Sequence, residues 1–384
     1  MKNNKFSGIS PLNENGNIIN NPKEKGQIFN DFFASKSKVS AYEDDPPHLE
    51  KIENVPFLSV LNTFPLEVGK LLRNLKKSHK SPCGIPGKFL ELISNEISYP
   101  LSELFNNTFD IGFFPDRWKI AHVTPIFKRV GSKNLKSNYR PISILPSLSK
   151  VCESIIHERL LSHCTRYKLI TERQAAYLKG DSTITQLIYL IHQIRSSWGM
   201  SNIAHGLFLD ISAAFDKVWH KGLLAKLEQI GLSGAFLDIL KSYLSNRKQC
   251  VVVEGIKSDM LDIQAGVPQG SRLGPLLFLI YINDIVCGLE SEILLFADDC
   301  SLLAHGLDPA QTAEQLNRDL IKISNWAQLL KVKCNAGKTK YIIFSSKVLN
   351  NSPPLIYNEN VIERVNPHCH LGVYLTSNLD WCFK

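Results

Sequence analysis

The sequence predicts a mixed α+β fold, and three observations carry that expectation. Short apolar runs of strand length, Leu207-Phe-Leu209, Cys250-Val-Val-Val253 and Ile293-Leu-Leu-Phe296, occur among stretches of helical period such as Ala235, Phe236, Ile239, Leu240, Tyr243 and Leu244. Two of the runs end on carboxylates, Asp210 and the pair Asp298-Asp299. No repeat with a period of roughly 20–50 residues is present, which argues against a solenoid.

Taken in order, the first 65 or so residues are polar, Asn-rich and broken by Gly and Pro. One amphipathic patch there, Ile28-Phe29 with Phe32-Phe33, has helical spacing and is expected to dock on the main body. Leu66, Val68, Leu71, Leu72 and Leu75 repeat at helical period, followed by the basic run Lys76-Lys-Ser-His-Lys80. Another helix is expected around Leu101 to Phe109, ending near Gly112 and Pro115. Ala121 to Phe127 reads as a strand and Lys150 to His163 as a helix. Pro275 to Ile285 reads as a buried helix with proline in its first turn. Ile293–Phe296 and Cys300–Leu303 read as strands around a tight turn, and Leu316, Leu320, Ile323, Ala327 and Leu330 mark a last long helix.

The 384 residues are 44% hydrophobic and 21% charged, so enough apolar surface exists to offset chain entropy, and disorder throughout is excluded. A chain of this length implies two or three structural units. The formal charge of +8 favours an anionic partner such as nucleic acid. Nine cysteines, an odd number without any CxxC pair, point to reduced thiols rather than a disulfide framework or zinc knuckle. The start, Met1-Lys-Asn-Asn-Lys-Phe-Ser-Gly8, has no apolar signal segment. The run Leu276–Ile282 falls far short of the roughly 20 residues that span a bilayer. The expectation is an intracellular protein of the cytoplasm, the nucleus or both, not secreted and without a membrane partner.

The chemistry rests on the carboxylates. Asp210 and Asp298-Asp299 emerge at the edge of buried strands, where clustered negative charge raises its own pKa and is costly. A divalent cation resolves the conflict, and hard oxygen ligands suit Mg²⁺. Supporting blocks surround them. Asp210-Ile-Ser-Ala-Ala-Phe215-Asp places an aromatic five residues after the first carboxylate, and Gly266-Val-Pro-Gln269-Gly270-Ser is a Gly-rich loop before a helix. Lys128, closing Pro-Ile-Phe-Lys, and Arg140, in Asn-Tyr-Arg-Pro-Ile-Ser, are cations able to clamp a triphosphate.

With Cys334-Asn-Ala-Gly-Lys338-Thr-Lys and His370-Leu371-Gly372-Val, these ordered blocks resemble the reverse transcriptases of non-LTR retrotransposons, the LINE-type, jockey-like class. The resemblance covers residues 65–380, and Ile28-Phe-Asn-Asp-Phe-Phe33 resembles the segment that precedes the polymerase in such elements.

The resemblance implies a right-hand polymerase fold with fingers and palm and no thumb. It divides the chain into a flank at 1–64, a finger extension at 65–110, the reverse transcriptase domain at 111–375 and a truncated end at 376–384. The implied activity is RNA-directed DNA polymerisation, with two Mg²⁺ ions (Mn²⁺ being the alternative), an RNA template, a DNA primer and dNTPs. Asp210, Asp298 and Asp299 are then catalytic and metal-binding, joined by the Ile211 backbone carbonyl. Lys128, Arg140, Phe215, Gln269, Gly270 and Lys338 bind the nucleotide, Phe215 as the ring that excludes a 2′-hydroxyl, and Leu371-Gly372 belong to a primer-gripping hairpin. Lys76, Lys77, Lys80, Arg117, Trp118 and Lys119 fit a template path. His368-Cys369-His370 reads as part of the hairpin rather than a zinc site, for want of further ligands. Departures from the family are Gln174-Ala-Ala-Tyr177 in place of Gln-x-Gly-Phe, a shortened Lys80-Ser-Pro-Cys-Gly-Ile-Pro86 loop, and Ala213 where Lys is common. With no endonuclease ahead of the polymerase and no thumb after it, the alternative is a catalytically inactive nucleic-acid-binding remnant of a retroelement.

Overall fold

Ile203–Asp210 is the strand on which one half of the molecule is built. Its residues are buried on both faces until Asp210, as expected of a central strand. In the computed structural model, which describes residues 8–40, 42–75, 81–200, 203–345 and 352–380, this strand sits in the middle of a five-stranded sheet. The order is Glu363–Arg364, Lys340–Phe344, Ile203–Asp210, Asp299–Gly306, Glu292–Phe296. All pairings are antiparallel except the short one between Lys340-Tyr341 and Glu363-Arg364.

Each face of this sheet is covered by a helix. Ile203, Leu207, Leu209, Leu302 and Ile343 pack with Ala313, Leu316, Leu320 and Ile323 of the helix Pro309–Leu329. That helix starts where Asp308 accepts the Ala310 N–H and Pro309 occupies the first turn. Ala204, Phe208, Leu303, Ile342 and Phe344 pack with Leu190 and Ile194 of the helix Thr183–Gly199. These elements form one compact unit, made of Ile170–Ala214 and Phe278–Lys384.

The other unit consists of Met1–Leu169 and Phe215–Leu277. Its sheet runs Tyr139–Ile144, Ile120–Phe127, Arg247–Val253, Ile256–Lys257, with Leu261–Ile263 also pairing to Arg247–Val253. The amphipathic patch near the N-terminus is the helix Pro22–Lys36, capped by the Asn21 side chain. Phe29 and Phe33 join Ala121, Val123, Tyr139, Val251 and Val253 in a single core. Asn30 lies fully inside, donating to the Asp259 carbonyl and accepting from Gln249. The polar flank thus supplies one layer of this unit. The hairpin Leu12–Glu14/Asn17–Ile19, the helix Ser147–Arg166 and the shorter helices Pro65–Arg73, Gly87–Leu92, Ser94–Asp110, His220–Gln229 and Gly234–Leu244 also belong to it.

The expected helix Pro275–Ile285 is α-helical over Gly274–Ile282 and tightens to a 3₁₀ turn over Asn283–Val286. The α+β expectation is met. Among the described residues no helix is long and apolar enough to cross a membrane, and the eight described cysteines are all free thiols.

Candidate active site

Strand register brings the carboxylates together. Asp210 stands directly opposite Asp299 in the antiparallel ladder, so their side chains share one face of the sheet about 5 Å apart at Cβ. Asp299 also pairs with Phe296 across the next ladder, which leaves Ala297 and Asp298 as a two-residue hairpin loop. Such a loop between twisted strands needs left-handed backbone, and Ala297 supplies it at φ 55°. Gln174 holds the turn. Its buried Oε1 accepts the N–H groups of Ala297 at 3.0 Å and Ala176 at 2.9 Å. Residues 173–175 run beside Leu295, exchanging two backbone hydrogen bonds of 2.9 Å. Tyr177 lies close by, its phenol pKa raised by burial and then by the charge of Asp298.

Asp210 is fixed through its backbone. Its N–H donates to Thr339 Oγ1 at 3.2 Å, and its carbonyl accepts the Asn335 N–H at 2.9 Å. The Ser212 N–H donates to the Lys333 carbonyl at 2.8 Å. Ile211 and Cys334 face each other between these two bonds, so the Ile211 carbonyl points away from residues 333–335. Lys338 Nζ is 4.0 Å from Asp210 Oδ2, beyond hydrogen-bond reach. That oxygen is buried and has no hydrogen-bond donor.

An unsatisfied buried carboxylate oxygen facing a second aspartate is the arrangement a hard cation relieves. Among the described residues no group of three or more His, Cys, Asp or Glu side chains is arranged to hold a metal ion by itself. The donors that do meet here are carboxylate oxygens. They fit Mg²⁺, which takes one or two carboxylates and fills its octahedron with water and phosphate oxygens.

The same face of this sheet carries the hairpin His368–His370/Val373–Leu375. Phe208, two residues before Asp210, stacks on His368 with centroids 4.3 Å apart and tilts against His370 at 4.9 Å. Burial, then the charge of His368, pushes the His370 pKa down to about 4. These rings are packing groups, in keeping with the hairpin reading. Leu371 and Gly372 form the turn, both with positive φ, 48° and 84°, as a type I′ turn requires.

The unit made of Met1–Leu169 and Phe215–Leu277 assembles a second group. Lys128 follows the strand Ile120–Phe127, and its Nζ donates to the Ser137 carbonyl at 2.8 Å. Arg140 pairs with Ile126, so Ile126, Lys128, Arg140 and Ile142 share the exposed face of this hairpin, while Tyr139 packs inward on Phe29. Phe215 is half-buried, and its carbonyl accepts the Val267 N–H at 2.8 Å. Gln269 donates through Nε2 to Asp216 at 2.8 Å and accepts the Ser143 N–H at 2.7 Å. Gly270, at φ +115°, lies so close to the Ser143 carbonyl that a Cβ would stand 2.6 Å from it. Phe215, Gln269 and Gly270 are thus tied into one cluster with Ser143, three residues beyond Arg140. Beside it lies a cleft of about 530 Å³ whose lining includes Ile142, Ser143, Lys150, Gly270 and Arg272.

Of the residues expected on a template path, Lys76, Lys77 and Lys80 lie outside the described residues. Arg117 is exposed. Trp118 packs edge-to-face against Phe105 and Phe114. Lys119 is buried and paired with Asp116 at 3.0 Å, so it supports the fold and not a phosphate.

The family described as reverse transcriptase (RNA-dependent DNA polymerase) matches residues 128–372, a span that runs from Lys128 to Gly372 and includes Asp210, Asp298 and Asp299. The chain belongs to the reverse transcriptase family. It is similar to the probable RNA-directed DNA polymerase from transposon X-element of Drosophila melanogaster, 31% identical over 83% of this chain and 35% of that protein. It is also similar to the RNA-directed DNA polymerase from mobile element jockey of Drosophila funebris, 30% identical over 96% of this chain and 42% of that protein. The chain therefore spans less than half the length of these relatives. Apo telomerase from Candida tropicalis, truncated from its C-terminal domain, aligns over 74% of this chain and 60% of its own at 14% identity, with a TM-score of 0.46.

In this member of the family the supporting residues are harder to foresee than the carboxylates. Gln174, Ser143, Asp216 and Thr339 each make a hydrogen bond to a residue remote in sequence. All four stand inside blocks that the sequence marks, Gln174 as the first residue of the block that departs from the family at Ala176, but the blocks do not say which partner each one bonds. The structure accommodates that departure, with Ala176 buried and its N–H bonded to Gln174.

Proposed function

We propose that this chain is the RNA-directed DNA polymerase core of a non-LTR retrotransposon. It would transfer nucleotides from dNTPs to a primer 3′-hydroxyl on an RNA template. The observation that carries the reading is Asp210, with its unsatisfied buried oxygen, directly opposite Asp299 at the end of a central strand.

Asp210, Asp298, Asp299 and the Ile211 carbonyl would hold two Mg²⁺ ions, Mn²⁺ being the substitute. Bound there, the ions supply activation of the attacking hydroxyl and charge neutralisation on the leaving group. In the reaction, the primer 3′-oxygen forms a bond to the α-phosphorus and the bond to the bridging oxygen of the β-phosphate breaks, releasing pyrophosphate. Arg140 and Lys128 bind triphosphate oxygens, and the planar guanidinium engages two of them at once. Gln269 hydrogen-bonds the nucleotide, and Gly270 lets backbone approach it. Phe215 fills the space a 2′-hydroxyl would need. Lys338 holds a proton for the departing pyrophosphate. The Leu371-Gly372 hairpin positions the primer end. Lys150 and Arg272 offer the template backbone two cations at the edge of the cleft. The sheet with the aspartates is the palm in this reading, and the sheet with Arg140 belongs to the fingers. Free thiols accord with an intracellular setting, cytoplasm or nucleus.

Primer extension on an RNA template with Mg²⁺ and dNTPs tests the reading. Extension by the native chain is expected, and Asp210→Asn should reduce it by more than about 10³-fold while leaving the fold intact. A folded native sample that extends no better than Asp210→Asn, yet binds RNA in a salt-sensitive way without Mg²⁺, would favour the inactive remnant instead.

A further inference from the structure

Glu153 is a carboxylate that the chemistry above does not use. It lies on the helix Ser147–Arg166 and is entirely buried. One carboxylate oxygen accepts the backbone N–H groups of Arg272 at 2.8 Å and Leu273 at 3.4 Å, and the other accepts the Ser149 hydroxyl at 2.9 Å. Burial pushes its pKa up, and the charge of Arg247, itself buried, opposes that shift. Arg247 is in turn anchored by donating to the Tyr243 carbonyl at 2.9 Å. A helix position inside a core is ordinarily apolar, because an ion there is costly unless its partners are in place.

The two peptide N–H groups that Glu153 receives lie immediately after Gln269-Gly270. On the upstream side the loop is already fixed. The Gly266 N–H donates to the Val218 carbonyl at 2.8 Å, the Val267 N–H donates to Phe215, and the Gln269 carbonyl accepts from Ser143. The turn between closes on itself, with the Ser271 N–H on the Pro268 carbonyl at 3.1 Å and the Gly274 N–H on Ser271 Oγ at 2.8 Å. Glu153 is the downstream tether. Without its charge the 272–273 peptide loses a charge-assisted partner, and Gln269 and Gly270 are held against Ser143 from one side only.

We propose that Glu153 is a positioning residue for the nucleotide pocket, setting Gln269 and Gly270 by pinning the peptides of Arg272 and Leu273. The proposal rests on the reading of Gln269 and Gly270 as nucleotide-binding residues.

The test uses Glu153→Gln, which keeps the volume and removes the charge, and Glu153→Asp, which keeps the charge. In Glu153→Gln the amides of Arg272, Leu273 and Ser143 should exchange with deuterium roughly 10-fold faster, the scale of one charge-assisted hydrogen bond, while the His122 and Val123 ladder amides keep their native rates. In primer extension the dNTP KM should rise about 10-fold with kcat changed less than about threefold, and Glu153→Asp should recover part of the loss. Native exchange at Ser143 in folded Glu153→Gln overturns the proposal. So does acceleration of all amides of this unit together, which would make Glu153 a stability group only. Should Glu153→Gln fail to fold, Ser149→Ala frees one oxygen of Glu153 and must show a smaller acceleration at the same three amides. Absence of extension by the native chain would count against the polymerase reading, whereas the exchange pattern still decides whether Glu153 sets the loop.

Discussion

Replacing Gly270 with alanine puts the nucleotide-pocket reading under the most direct strain. The backbone there adopts φ +115°, and a Cβ would meet the Ser143 carbonyl oxygen at 2.6 Å. Ordinary contact begins near 3.4 Å, so the loop or the strand must retreat by roughly 0.8 Å. Ser143 is not free to move. It is paired in the ladder opposite Val123 and donates to the Gln269 carbonyl at 2.7 Å. The loop therefore shifts and carries Gln269 with it. The backbone strain alone is worth about 1–3 kcal/mol of stability. A misplacement near 1 Å in a reacting assembly costs on the order of 100-fold in kcat/KM, here for the dNTP. Gly16→Ala is the control, since that glycine also has positive φ, +88°, but meets nothing within 4 Å. It should lose about 1 kcal/mol in denaturant unfolding and keep its kcat/KM. Steady-state extension of the two variants and the native chain decides the matter. A Gly270→Ala protein within about threefold of native kcat/KM refutes the reasoning, and an equal loss in Gly16→Ala reduces it to general destabilisation.

Other outcomes follow from the same geometry. Phe215→Val should raise incorporation of ribonucleotides relative to deoxyribonucleotides by about 10–100-fold, measured as the ratio of kcat/KM values, since one steric contact is worth 1–3 kcal/mol. Gln174→Leu leaves the N–H groups of Ala297 and Ala176 without their acceptor, so it should cost about 2–4 kcal/mol in unfolding free energy and lower kcat through the Asp298 turn. Leu371→Asn, at φ 48° in a type I′ turn, should stabilise by about 0.5–1 kcal/mol in thermal unfolding. Acid should destabilise through the buried histidines. Burial holds His205, His220 and His370 down to about 4, whereas an unfolded histidine titrates near 6.5. The unfolded chain then binds more protons between pH 6.5 and 4, so stability is full above that window and falls as the pH drops through it, by about 1 kcal/mol per pH unit per histidine. Denaturant midpoints measured from pH 7.5 to 4.5 check this, and His220→Gln should flatten the slope.

Asp210, Asp298 and Asp299 are legible in the sequence because each closes an apolar run, and that pattern is local. The long helices Ser147–Arg166 and Pro309–Leu329 are legible for the same reason, their apolar residues repeating at helical spacing. The helix Thr183–Gly199 is not. Ile184 and Ile188 are apolar yet 66% and 62% exposed, so no clean stripe marks its buried side. Its one local mark is the capping box of Ser182 and Thr185. Strand pairing is also hidden. An apolar run says that a strand exists, but not that Ile203–Asp210 lies between Lys340–Phe344 and Asp299–Gly306, which depends on contacts more than 80 residues away. Glu153 sits among apolar helix residues, where composition alone suggests an exposed acid. Only the loop folding back onto it shows what it holds.

The ladder between Ile203–Asp210 and Asp299–Gly306 makes the meeting of Asp210 and Asp299 a test of assembly. Side chains alternate across a strand, so a slip of one residue would send Asp299 to the opposite face from Asp210. A misaligned chain would keep all its carboxylates and lose the meeting of Asp210 with Asp299. Ion affinity would then reward the correctly registered sheet alone, since a ligand that binds only the native arrangement stabilises only that arrangement. On the proposed reading, a divalent ion held by Asp210 and Asp299 would favour the native register over a slipped one.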